Sequence, residues 1–216
     1  MKKLIIAFLM AFSSAAMAAG GNVKLDSANI DLADQASLQR GAKLYVNYCI
    51  GCHSLQFQRY QRMADDIGLT HDEVKENMMF AGGKIGDHMT SALDKEAAAN
   101  WFGTAPPDLS VISRSRGVDW IYTYLRSFVP DEKRPFGVNN TVFKDVGMPH
   151  VMQNVQDSMS EEEFDGAMRD LTNFLSYVGE PIQLERKRLG VYVIAFLVFF
   201  TVLAYLMKKE YWKDVH

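Results

Sequence analysis

The sequence predicts a mainly helical exported domain with long loops, followed by one membrane-spanning helix near the C-terminus. Three observations predict it: a short apolar run behind two lysines at the start, amphipathic helical stretches flanking a centre punctuated by glycine and proline, and an uncharged apolar run close to the end. At 216 residues there is room for one good-sized core plus accessory segments. Hydrophobic content of 48% and charged content of 23% are ordinary for globular chains, so distribution carries more than bulk composition.

Residues 1–18 open with Lys2-Lys3, continue apolar from Leu4 to Phe12 and close on Ala16-Met17-Ala18. That order is the secretory signal pattern, with cleavage expected after Ala18. The apolar run is about half of the ~20 residues that a membrane span needs. Leu189 to Met207 is different. These 19 residues contain no charge, twelve of them are Leu, Ile, Val or Phe, and as a helix they reach roughly 28 Å. Arg186-Lys187-Arg188 precede the run, and Lys208-Lys209, Tyr211-Trp212 and Lys213 follow it. It reads as a single span within a C-terminal segment 186–216. Both flanks are basic, so flanking charge alone does not orient it. With the signal peptide, the expected arrangement is residues 19–185 in the periplasm, a span through the bacterial inner membrane, and a short C-terminal tail in the cytoplasm.

Residues 19–185 hold 15 Lys/Arg and 24 Asp/Glu, a formal charge of −9 against −3 for the whole chain. An acidic exported domain is a poor nucleic-acid binder, and it suits a basic protein partner. No repeat divides it. Residues 36–48 read as a helix with Gly41 and Tyr45 on one face, where glycine permits close helix contact. A second helix is expected from Glu161 to Tyr177. Ser160 and Glu163 form a capping box, and Phe164, Met168, Leu171, Phe174, Leu175 and Val178 recur at helical spacing before Gly179 and Pro181. Those apolar residues are expected to form core against the first helix. Between them the chain is loop-rich with almost no strand signal. A small domain with so much irregular chain implies that something other than side chains completes its core.

Both cysteines of the chain stand in Cys49-Ile50-Gly51-Cys52-His53. C-x-x-C-H is the attachment pattern for c-type haem: one turn presents two sulfurs to the haem vinyl groups, with the next histidine under the iron. Export agrees with that reading. A redox dithiol would want a βαβ context, structural zinc would need two further close ligands, and a plain disulfide would leave His53 unexplained. The sixth ligand decides the chemistry, since methionine suits electron transfer and an open position suits ligand binding. Met63, Met78, Met79 and Met168 lie in helical-looking stretches where packing is the usual role. Met148 is favoured because Gly147 and Pro149 hold it in a loop. His150, Met89, Met152 and Met159 remain competitors, while His71, His88 and His216 read as surface residues.

The residues CIGCHSLQFQRY at 49–60, EAAANWFGTAPPDLSVISRSRG at 96–117 and VGMPHVM at 146–152, with the helix-plus-anchor tail from 160, resemble the cytochrome c1 family. Its members are the haem subunits of the ubiquinol–cytochrome c oxidoreductase, the cytochrome bc1 complex. The resemblance implies a class I cytochrome c-like haem domain with Cys49 and Cys52 carrying one covalent haem c, and His53 and Met148 as its axial ligands. It also implies that Arg116 lies near a haem propionate, with Arg114 as the fallback, and that Pro106, Pro107, Asp108 and Leu109 shape the pocket. The chain would then be an electron carrier within an enzyme complex. It would take one electron from a Rieske iron–sulfur protein and pass it to a soluble cytochrome c, beside a cytochrome b subunit in a dimeric complex. The alternative is a membrane-anchored monohaem cytochrome serving another respiratory oxidase or reductase. The segment around 70–95 is shorter than in mitochondrial members, and no cysteine is left for a disulfide.

Overall fold

The computed structural model describes residues 23–213, so the proposed signal peptide and His216 lie outside the described residues. Helix α1 spans Gln35–Tyr48 and is capped by the Asp34 side chain, which accepts from Ser37 N. Strand β1 (Leu55–Arg59) leads into α2 (Tyr60–Ile67) and α3 (His71–Met78). Strand β2 (His88–Met89) returns antiparallel to β1. Helices α4 (Lys95–Phe102), α5 (Ile112–Arg116) and α6 (Val118–Arg126) follow. A second antiparallel ribbon, β3 (Phe128–Pro130) with β4 (Val138–Asn140), precedes α7 (Gln153–Asp157) and the long α8 (Glu161–Gly179). The chain ends in α9 (Gln183–Tyr211).

The α1–α8 pair forms the centre of the core, as their apolar spacing predicts. Tyr45 and Phe174 are fully buried with ring centroids 5.8 Å apart. Burial of each ring contributes about 2–3 kcal/mol. Gly41 makes the approach possible: a Cβ there would collide with the Asp170 carbonyl oxygen and come within 2.7 Å of Phe174 Cβ. Arg40 grips the Asp170 carboxylate with two hydrogen bonds of 2.6 and 3.0 Å. The Ser160–Glu163 capping box starts α8, which runs two residues beyond the predicted end. Met63, Met78, Met79 and Met168 are all buried in the core, in their expected packing role.

The centre is more ordered than its sequence promises. Short helices fill it, and two ribbons tie its ends. Strand β2 is two residues long, and its partner lies about thirty positions away, so no local periodicity announces the pairing.

Among the described residues helix α9 buries no side chain, although residues 189–207 are apolar on every face. A continuous helix of 29 residues with that composition meets the length and composition of a membrane span. Its junction with the domain is tight. Gly179 leaves no space for a Cβ against Ser113 Oγ of α5. The next residue, Glu180, accepts from Arg114 Nη1 at 2.7 Å and from Arg186 of α9 through Nε and Nη2.

These contacts hold the Glu180 carboxyl at about 2, chiefly through the Arg186 hydrogen bond with Arg114 adding to it, against an ordinary value of 4.5. A depressed carboxyl pKa contributes stability that is fully present above the unfolded value and lost as pH falls through the folded one. The junction is therefore expected to stay paired above about pH 4.5 and to loosen progressively toward about pH 2. A carboxyl-carbon NMR titration of Glu180 in detergent checks this, and a midpoint near the ordinary value would refute it.

Candidate functional site

Helix α1 ends at Tyr48, but its hydrogen bonding continues for one more turn. The Cys49 carbonyl accepts from both Cys52 N (3.0 Å) and His53 N (2.8 Å), so C-x-x-C-H is itself a helical turn. Ser91 secures it, donating from Oγ to the Gly51 carbonyl and from its N–H to Ser54 Oγ. Cys49 is buried and Cys52 exposed. Burial, with Cys52 adding to it, pushes the Cys49 thiol up to about 12, opposite to the lowered value of an attacking dithiol cysteine. Among the described residues no group of three or more His, Cys, Asp or Glu side chains converges as a metal site.

His53 is half-buried, and its Nδ1 lies 2.7 Å from the Pro107 carbonyl oxygen. A carbonyl only accepts, so Nδ1 carries the proton and Nε2 keeps a free lone pair. Burial lowers the His53 pKa, partly offset by the Pro107 bond and the charge of Asp108, which favours the neutral ring. The Pro107 carbonyl is held by a side-chain ladder between the 107–110 loop and the chain after His53. Leu109 N donates to the Ser54 carbonyl, Gln56 N to Asp108 Oδ2, Ser110 N to Asp108 Oδ1 and Phe57 N to Ser110 Oγ. Polar side chains here do the work of a missing strand.

One apolar cavity of about 260 Å³ gathers most of the residues singled out from sequence: Cys49, Cys52, His53, Pro106, Pro107, Leu109 and Met148 all line it. Met148 is the sole methionine on its wall among the described residues. Met89 and Met152 are fully buried elsewhere, and Met159 packs on the core. His150 does not line the cavity; it stacks on Phe128 at 4.6 Å and its Nε2 lies 2.8 Å from Gln156 Oε1. Met148 Sδ accepts from Tyr124 OH at 3.4 Å.

Neither arginine of the R-S-R stretch lines the cavity itself. Arg114 is committed to Glu180, whereas the Arg116 guanidinium lies 5.1 Å from the Trp120 ring centre and 5.8 Å from that of Phe143. Both rings are cavity walls, so Arg116 sits at the rim. Surface positions suit His71, which meets Asp65, and His88.

Sequence reasoning missed the far wall. Trp120 and Tyr124 of α6 stack at 5.0 Å and 9°, and Leu171 and Leu175 of α8 close the cavity behind the cysteines. The signal was present in part: α8 carries more apolar positions than one partner helix can cover. Nothing in the sequence distinguished Trp120 and Tyr124 from ordinary core.

The cavity walls are almost wholly apolar, and the donors that reach it are an imidazole nitrogen and sulfurs rather than acids, bases or an activated nucleophile. Such a slot fits a large flat apolar group whose metal takes nitrogen and sulfur ligands. That defines the class of protein: a haem-carrying electron-transfer domain on a membrane anchor. Residues 27–215 match the model of the cytochrome C1 family. The chain is 49% identical to the cytochrome c1 of Allochromatium vinosum, with 100% of both chains covered. It is 44% identical to a Nitrosomonas europaea protein named ammonia monooxygenase gamma subunit, covering 100% of this chain and 98% of that one. A protein named cytochrome b/c1 from Bradyrhizobium diazoefficiens is 30% identical over 85% of this chain and 34% of its own length. The chain belongs to the cytochrome c1 family. Its role is that of the electron-transfer subunit of the bc1 complex, and haem c is its cofactor.

The 107–110 ladder yields a test that needs no partner. Asp108→Ala leaves the Gln56 and Ser110 N–H groups without their acceptor. The expected loss is about 2 kcal/mol of stability in a thermal or denaturant melt. Asp108→Asn keeps one acceptor oxygen and is expected to lose less than half as much. Equal losses for the two variants would show that charge, not acceptor geometry, holds the loop.

Proposed function

We propose that this chain binds one haem c covalently through Cys49 and Cys52, with His53 Nε2 and Met148 Sδ as the axial ligands and Arg116 facing a propionate. The observation that carries the reading is the convergence of the C-x-x-C-H turn and Met148 Sδ on one apolar cavity. The Nδ1–Pro107 bond supports it, because a histidine whose other nitrogen donates to a carbonyl is oriented and made a better donor. When bound, the haem supplies one-electron chemistry between ferrous and ferric iron. The polypeptide supplies ligation, an environment poor in water, and docking surfaces. No proton transfer or bond cleavage is asked of any side chain.

In this reading residues 1–18 direct export, residues 19–185 stand in the periplasm, and residues 186–216 place the anchor with its C-terminus in the cytoplasm. The chain takes an electron from a Rieske iron–sulfur protein and delivers it to a soluble cytochrome c, inside a dimeric complex. The relative named cytochrome b/c1 supports a cytochrome b neighbour, since a protein of which the match spans 34% joins the two names in one chain. A second assembly has support of its own: a relative at 44% identity carries the name of an ammonia monooxygenase subunit.

Gentle detergent purification of the native protein separates the two. Copurification with cytochrome b and a Rieske-type subunit is expected; a haem protein travelling with a monooxygenase or a terminal oxidase instead would overturn the assignment of partners. An alkaline pyridine spectrum is expected to show covalent c-type haem. Met148→Leu is expected to lower the midpoint potential and to let the ferrous protein bind carbon monoxide. An unchanged potential with no carbon monoxide binding would assign the sixth position to another residue.

A further inference from the structure

Gly147 and Met148 belong to no helix or strand, so the position of the thioether depends on how the preceding backbone is held. A thioether is a neutral and weak iron ligand, and a flexible loop would lose it easily. Among the described residues, one side chain grips the carbonyls of that backbone. Arg134, in the turn between β3 and β4, donates from Nη2 to the Asp145 carbonyl at 2.6 Å and to the Val146 carbonyl at 3.1 Å. These are the third and second residues before Met148.

The geometry separates this grip from an ordinary surface ion pair. Arg134 Nη1 is 3.4 Å from Asp145 Oδ1, a poor hydrogen bond, and the Asp145 side chain is 78% exposed. Such a pair contributes little. The Arg134 side chain is only 25% exposed, and its Nε is buried without a partner among the described residues. Burial on those terms is not explained by the carboxylate. The backbone on both sides is also built to receive the guanidinium. Arg134 N donates to the Asp131 carbonyl and Gly137 N to the Arg134 carbonyl, which fix the turn. Asp145 adopts φ +61°, a left-handed conformation that turns its carbonyl, and its N–H donates to Asn139 Oδ1 at 2.9 Å. Val146 is buried and lines the cavity next to Met148.

We propose that Arg134 is a positioning residue for the iron ligand, clamping the 145–146 carbonyls so that Met148 is held in the cavity before it binds. The proposal rests on the reading of Met148 as the axial ligand. Both carbonyls take their bonds from one nitrogen, Nη2, whose two N–H bonds are fixed in the guanidinium plane, so this planar geometry is predicted to matter and the Asp145 charge is not. Lysine carries the same charge and could donate to both carbonyls, but its rotatable ammonium on a flexible stem does not fix the directions of those bonds.

The test uses the full-length holoprotein in detergent, reading carbon monoxide binding to the ferrous form, the midpoint potential and the melting temperature. Arg134→Ala is expected to raise the carbon monoxide-reactive fraction about tenfold or more and to lower the potential, by the loss of charged hydrogen bonds. Arg134→Lys is expected to fall between Arg134→Ala and wild type. Asp145→Asn is expected to behave as wild type, because asparagine accepts the left-handed conformation. An Arg134→Ala protein that stays closed to carbon monoxide at unchanged potential would overturn the proposal, even with a lowered melting temperature. So would an Asp145→Asn protein as open as Arg134→Ala. If Arg134→Ala does not accumulate, the lysine variant decides: partly open supports the clamp, fully closed overturns it. Met148→Leu run in parallel separates the two ideas. Its opening with closed Arg134 variants sinks the clamp alone, and its failure to open sinks the ligand reading and the clamp together.

Discussion

With no side chain at Gly41, α1 settles directly onto the backbone of α8, and most of the domain is arranged around that approach. The contact brings Tyr45 against Phe174. The C-x-x-C-H turn that follows α1 lines the same cavity as Leu171 and Leu175 of α8. One helix pair therefore sets the centre of the core and leads directly into the C-x-x-C-H turn. A side chain at Gly41 would push the helices apart and open the cavity from behind. Arg40 and Asp170 secure the same crossing from the surface.

The rest of the site is built by segments that have little regular structure, and its precision comes from polar side chains bonded to backbone. On the histidine side, Asp108 and Ser110 replace a strand and present the Pro107 carbonyl to His53. On the methionine side, Asn139, Asn140 and Arg134 hold the chain from Val142 to Val146. Asn140 also bonds the carbonyl of Tyr124, whose hydroxyl reaches Met148. Each such bond stabilises modestly, about 1 kcal/mol, yet leaving a buried partner unpaired costs more. That asymmetry makes loops specific without helix or sheet. The apolar cavity they enclose is walled by side chains of α1, α6 and α8 and of the loops between them.

The anchor and the site share one short element. Helix α5 offers Ser113 and Arg114 to the junction with α9, and Arg116 from the same five residues reaches the cavity rim over Trp120 and Phe143. Glu180, paired to both α5 and α9, ties the domain to its membrane helix by charge rather than by apolar burial. This suits a junction next to a membrane surface, where apolar contacts would compete with lipid.

Much of this protein was legible in its sequence because the signals are local. Helical spacing marked α1 and α8, a capping box marked the start of α8, an uncharged run marked the long apolar helix α9, and C-x-x-C-H marked a turn that lines the cavity. Gly147 and Pro149 singled out Met148 by the same local logic. Tertiary structure decided what spacing cannot express. It set Trp120 and Tyr124 on the far wall, turned His150 away to Gln156, and separated Arg114 from Arg116 by pairing the first with Glu180 and laying the second over Trp120 and Phe143. It also paired β1 with a two-residue β2 and set Arg134 on the carbonyls before Met148. Sequence alone determined which residues are chemically able to hold a haem, because ligand chemistry and helical period are properties of residues and their neighbours. Only the fold decided which of the able residues meet, because a cavity wall is assembled from positions far apart in the chain by packing.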